Sequence, residues 1–330
     1  PMTHYRGRLL ALALVLLPAS AMAQEVPTPV DRSFSIQLHE PAVGANPLLT
    51  IESARSPGHL AVTAGVVLVY QHHPVSIFPC QPGTGGPEGP DCDLDMSEPL
   101  SEIVTAHFEA DIMASLTLFN MFQVGLTVPV VLYQAGDGIL EQDADGEWVS
   151  SGLAGATGLG DLRLHLKWTA PFGLGRGEEE GLGLAIAPVL SFPTGDATVG
   201  GAFMGDGTVT VHPQVLLEYR WQGLQVGGRL GYRWREDSQL YTTEMGQQLT
   251  FAAGAGYSFP IARGGYEIQP ILELYGANGF SSDLDQTPLE LDVAVRARLA
   301  HDFQVTLGFG AGLISACLLY TSPSPRDLGS

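Results

Sequence analysis

The chain has 330 residues, of which 45% are hydrophobic, 15% are charged and 41 are glycine. Thirty-five acids against 15 Lys and Arg leave a formal net charge of −20, which excludes the basic footprint that nucleic-acid binding requires. The length admits one or two domains, and a single barrel absorbs it.

Arg6 and Arg8 lead an apolar run from Leu9 to Leu17 and a small-residue exit, Ala21-Met22-Ala23. Residues 1–23 therefore read as a secretory signal peptide, with Gln24 next. The run is too short for a membrane helix, and no later stretch is long and apolar enough for one. Membrane residence, if any, must then be as strands. Residues 24–58 hold two short alternating pieces, Phe34-Ile36-Leu38 and Leu48-Leu49-Ile51, around Pro41 and Pro47. They suit a small periplasmic hairpin or a plug inside a barrel, and the sequence leaves both open.

From 59 to 316 the pattern is a series of strands: 59–73, 101–118, 121–134, 158–169, 181–192, 207–221, 224–235, 247–259, 266–276, 287–301 and 303–315. The clearest pair is 207–235. Val209, Val211, Pro213, Val215, Leu217, Tyr219 and Trp221 alternate with residues polar at all but one position, Leu216. After Gln222-Gly223 the alternation resumes, with Val226, Leu230, Tyr232 and Trp234 against Gln225, Arg229, Arg233 and Arg235. Successive strand side chains point to opposite faces, so this is a hairpin with one greasy and one charged face. About a dozen residues per strand exceeds the usual five or six and suits a tilted bilayer crossing. In the second strand Val104, Phe108, Ile112 and Leu116 oppose Thr105, His107, Glu109 and Asp111. Connections after odd-numbered strands are long and most others tight, as in outer-membrane barrels with extracellular loops and periplasmic turns. Aromatic residues gather toward the strand ends as two girdles. Pro129, Pro188, Pro213 and Pro270 each remove a ladder hydrogen bond, which predicts bulges.

Several segments, SPGHL at 56–60, TVPVVLYQAGDG at 127–138, GLGDLRLHLKW at 158–168, SFPTGD at 191–196 and MGDGTVTVHPQVLLEYR at 204–220, taken in this order resemble the N-terminal barrel of OmpA-family outer-membrane proteins. GLGDLRLHLKW and FPTGD are also similar to transporter barrels of aromatic-degradation pathways. The resemblance implies an all-β, transmembrane, antiparallel up-and-down barrel of about 12 strands in the outer membrane of a Gram-negative bacterium. In the first family a peptidoglycan-binding domain commonly follows.

No nucleotide loop, HExxH, CxxC or GxSxG motif is present, and no catalytic residue is assigned. Asp161 and His165 share an inner face but stand too far apart for direct contact. His107, His165 and His212 read as solvated interior groups. Cys80 and Cys92 in a Pro/Gly-rich stretch read as a loop disulfide, with two free thiols as the alternative. Asp91, Asp93, Asp95 and Glu102 occupy positions 1, 3, 5 and 12 of a calcium loop, but Met96 stands where a glycine is needed. Weak calcium binding there, or simple hydration of an acidic loop, are the two readings, and no other cofactor is expected. Arg163, Lys167, Arg220, Arg229, Arg233 and Arg235 make a basic inner wall; Glu109, Asp111, Glu267, Glu273, Glu290 and Asp292 make an acidic one, interrupted by Arg296 and Arg298. The walls either set a transverse field across a water-filled pore or meet as a network filling it.

The expected function is porin-like or transporter-like passive passage of small solutes, with outer-membrane lipid as the surrounding partner. The alternative is a structural anchor reaching peptidoglycan through a further domain. Eleven strands cannot close an antiparallel barrel, so strands 1 and 11 are expected to leave an imperfect seam. Residues 317–330 lack alternation, resemble the translation of a sequencing adapter and are read as a foreign scar.

Overall fold

A computed structural model describes residues 34–82, 92–94, 101–142, 148–150, 152–171, 180–195, 203–240, 243–261, 266–279, 287–299, 303–314 and 318–320. The described chain is all-β. Its long strands are β1 (Val62–Pro82), β2 (Ser101–Leu118), β3 (Phe122–Gly136), β4 (Leu153–Leu159 and Leu162–Thr169), β5 (Gly181–Ile186 and Val189–Phe192), β6 (Thr210–His212 and Gln214–Trp221), β7 (Leu224–Arg233), β8 (Gln248–Tyr257 and Phe259–Ile261), β9 (Tyr266–Asn278), β10 (Leu289–Arg298) and β11 (Gln304–Ile314). Each pairs antiparallel with the next in chain order, from Val62↔Leu116 between β1 and β2 to Arg298↔Gln304 between β10 and β11. The β6–β7 hairpin closes at Trp221↔Leu224. Its two turn residues, Gln222 (φ 45°) and Gly223 (φ 85°), take the left-handed conformations that match strand twist in a two-residue turn.

Three connections carry more structure than their composition predicts. β1 continues to Pro82 and pairs there with Cys92–Leu94, and small hairpins join Leu140–Gln142 to Trp148–Ser150 and Ser238–Leu240 to Thr243–Met245.

The predicted bulges at the prolines are mostly breaks instead. Pro188 and Pro213 fall in the gaps that divide β5 and β6. Pro129 lies in β3 opposite the gap in β4, where Gly160 N–H reaches its carbonyl at 2.9 Å; Pro270 lies in β9 opposite the gap in β8. A residue without an N–H cannot hold the ladder on its donor side, so the strand or its neighbour is interrupted there.

The facing follows the alternation. Val226, Leu230 and Trp234 are exposed on the outer surface, as are Leu217, Tyr219, Val295 and Leu307. His107, Asp111, Arg163, Lys167, Glu218 and Glu273 are buried on the inner one. Val104 departs from its predicted outward facing. It is buried with Phe34, Ile103, Ile139 and Phe203, because connecting segments fold over the long-loop end of β2.

The sheet curls around residues 34–56. Inner side chains of β2, β3, β4, β6, β7, β9, β10 and β11 all hydrogen-bond to this segment. β1 and β11 do not pair with each other; among the described residues, on that edge of β1 only Ile77–Pro79 has a partner, a parallel contact with Leu318–Tyr320.

Candidate functional site

Among the described residues, charge is concentrated away from solvent in the interior, and the inserted segment organises it. Phe34 packs at the long-loop end, edge-on to Phe203 with ring centroids 4.9 Å apart. The chain descends to Asn46 at the short-turn end, where its side-chain oxygen accepts from Arg298 at 2.6 Å and Gln304 at 3.1 Å. It then rises into the middle of the sheet. There Glu273 accepts the N–H groups of Leu49 and Thr50, each at 2.8 Å, while Arg229 donates to the Thr50 carbonyl at 2.9 Å. Leu48 and Ile51 sit in an apolar seat of Ala252, Ile271, Tyr275 and Ala294. On the way to β1, Glu218 accepts from Ser53 Oγ at 2.7 Å and Ala54 N–H at 2.8 Å. Of the two positions open for residues 24–58, the described part occupies the interior.

The basic wall is inward throughout, but it bonds to protein. Arg163 pairs with Asp111, and Arg233 with Glu40. Lys167 donates to the Ser53 carbonyl at 2.9 Å, and Arg220 pairs with Glu218. Arg235 reaches Asp206 at 3.2 Å. On the acidic side Glu109 meets His107 at 3.2 Å, Glu267 meets Arg298 at 3.0 Å, Glu290 accepts from Tyr275 and Asp292 holds His39 at 3.1 Å. Of the two readings of these walls, the network is the observed one.

Other assignments change with it. His107, His165 and His212 are buried and hydrogen-bonded, to Gln134 at 2.8 Å, Glu52 at 3.0 Å and Thr250 at 2.7 Å, and are not solvated. Asp161 takes the N–H groups of Gly195 (3.0 Å) and Asp206 (2.7 Å), partners it does not share with His165. Glu102 pairs with His73 at 2.8 Å. The side chains of Asp91, Asp93 and Asp95, like those of Cys80 and Cys92, lie outside the described residues. So do residues 1–33 and 321–330. The ladder sets Cys80 opposite Leu94 and Cys92 opposite Pro82.

Sequence reasoning missed His39, Glu40, Glu52 and Arg55, which belong to a segment with no sustained period. The available signal was charge: ionisable residues within a stretch that is otherwise apolar and proline-rich.

Fold and site together define an inside-out antiparallel protein, greasy outside and charged within, whose sheet encloses its own N-terminal segment. The chain belongs to the family described as MetA-pathway of phenol degradation, which matches residues 106–316, from β2 through β11. Of the two resemblances noted in the sequence, the match falls on the aromatic-degradation barrels. No curated protein matches the chain.

Proposed function

We propose that this protein is a membrane-embedded β-barrel component that passes small amphipathic solutes, phenol-like aromatics among them, across a bacterial outer membrane. The observation that carries the reading is the polarity of the sheet: large apolar side chains are exposed on the outer surfaces of the long strands, and ionisable ones are buried inside. A water-soluble sheet would not leave Leu217, Val226, Leu230, Val295 and Leu307 exposed together. A strand barrel in lipid needs that arrangement. The solute class comes from the family's name, which ties it to phenol degradation. No enzyme chemistry and no cofactor enter this reading.

Residues 34–56 obstruct the interior, so passage requires the segment to shift. Arg229 and Arg233 hold it through the Thr50 carbonyl and Glu40. In planar bilayers the protein should carry small, infrequent currents, and Arg229→Ala with Arg233→Ala should raise the step size and favour cations. Proteoliposomes carrying that variant should take up phenol faster than those carrying the parent. Silence in both bilayer experiments would reject passage and leave a structural role.

A further inference from the structure

We propose that Glu40 occupies a seat for a small organic carboxylate, and that a solute carrying one releases the inserted segment by taking its place. The seat is built on the inner faces of β6, β7 and β8. Arg229 and Arg233 both lie on β7, an even number of residues apart, so their side chains point inward from one row. Gly231 stands between them, and a Cβ built there would come within 2.7 Å of His212 Nε2 and 2.8 Å of Thr250 Oγ1. The glycine thus lets the His212 imidazole lie across the row, fixed by Gln214 at 3.0 Å and Thr250 at 2.7 Å. Glu40 enters from the segment and accepts from Arg233 Nη2 at 2.5 Å. The charges of Arg163, His212 and Arg229 also act on its carboxylate.

Cations outnumber acids at this point. Arg163 has Asp111 as its partner, and Arg235 has Asp206. Arg229 has no carboxylate within ion-pair distance among the described residues. It donates to the uncharged Thr50 carbonyl, and its Nε is buried without an acceptor. The Nε of Arg163, a residue only 6% exposed, likewise lacks one. Buried charged donors left unmet are costly, and a carboxylate is the group whose two oxygens suit guanidinium forks.

Glu40 is also lightly held. Among the described residues it makes one hydrogen bond, whereas Glu273, which grips the segment from β9, accepts three. Its side chain is 21% exposed and that of Arg233 12%, while Asp111 beneath Arg163 is fully buried. The pair is therefore within reach of a solute that has entered the interior. The present occupant defines the ligand: a singly charged, planar, two-oxygen anion on a short carbon stem. This names a solute class for the passage proposed above and rests on that reading for the solute's arrival. Because Glu40 is tethered, it competes at an effective concentration at least on the order of millimolar, so a free carboxylate displaces it only at comparable levels.

The test uses the full chain in detergent micelles with sodium benzoate as the probe. Benzamide controls for the ring and sodium chloride for ionic strength. Benzoate at roughly tens of millimolar should expose residues 34–56 to protease along a saturating curve, and neither control should do so. By calorimetry Glu40→Gln, which keeps the shape and removes the competing charge, should bind benzoate about tenfold more tightly than the parent. Arg233→Gln should bind none. The protease titration uses the parent protein, so it decides the matter even where Glu40→Gln fails to fold. Equal exposure by chloride or benzamide, binding no tighter in Glu40→Gln, or binding undiminished in Arg233→Gln would each overturn the proposal. Benzoate binding by a protein that carries no current would leave the seat standing and reject passage; currents without benzoate binding would reject the seat alone.

Discussion

Glu273 is the deepest anchor of the inserted segment. It is fully buried, and two backbone N–H groups and the Thr50 hydroxyl converge on it. Glu273→Ala orphans those donors, at a cost of about 1–3 kcal/mol for each left dry. The variant should lose urea resistance and expose residues 34–56 to protease. Glycine does the complementary work of making room. A Cβ built on Gly227 would stand 3.0 Å from Leu48 Cδ1 and 3.4 Å from Ile51 Cγ2, in a strand that otherwise alternates regularly. Gly227→Val should therefore leave the β6–β7 hairpin formed but unseat the segment, seen as protease cleavage within 34–56 while the sheet's circular dichroism persists. The lone apolar residue in the inner row of β6 has the same origin. Leu216 is buried against Ala54 of the inserted segment and against Ala185 and Ala187. The sequence marks Leu216 as an exception, but its partner is 162 positions upstream (216 − 54), beyond the reach of any local pattern.

At the level of elements, all eleven long strands are legible in period-2 alternation because apolar side chains gather on the outer face of the sheet and polar ones on the inner. The register follows, since a one-residue slip would turn Arg229 and Arg233 outward; both face in. Val226→Arg tests the same facing from the outside. If Val226 lies near the bilayer midplane, the substitution should cost about 2–4 kcal/mol and reduce the folded, heat-modifiable fraction on gels. Glu218→Gln, on the inner side of the same hairpin, should leave that fraction largely intact. The segment 34–56 was legible only as far as two alternatives, a plug inside the sheet or a small periplasmic hairpin. Its backbone is held by side chains from eight strands and not by a ladder, so it needs no repeat and shows none. The strand breaks were half legible. Proline identifies the lost donor, but whether the ladder then bulges or stops depends on the neighbour, as at Gly160 and Ser258.

For the whole molecule, the segment is tied to opposite signs on opposite sides. Burial alone would raise the Glu40 carboxyl, but Arg233, and after it Arg163, His212 and Arg229, hold it well below the usual carboxylate range. Burial alone would lower the His39 imidazole, but its hydrogen bond to Asp292 and the charges of Asp292, Glu273 and Glu290 raise it above its ordinary value. The Glu40 contribution is full above the ordinary carboxylate value of 4.5 and fades as pH falls through its lower folded value. The His39 contribution is full below 6.5 and fades as pH rises through its higher folded value. Protease access to residues 34–56 should accordingly be least in mildly acidic buffer and rise toward both extremes. His39→Gln should flatten the alkaline rise and leave the acid one.

The inserted segment precedes every strand that holds it, and some of its partners lie far down the chain: Thr50 to Glu273 spans 223 positions, Leu48 to Arg296 spans 248 and Asn46 to Gln304 spans 258. Such separations place its docking among the slowest events of folding. The first part of the described chain to be synthesised is then among the last to find its site. Until β9 to β11 arrive, residues 46–50 lack the Glu273, Arg296 and Gln304 side chains that hold them, whereas the partners of Glu40 and Glu52, Arg233 and Lys167, lie on the earlier strands β7 and β4. The last anchors of the segment are therefore in place only once the sheet is nearly complete, and its full docking should be a late event of folding.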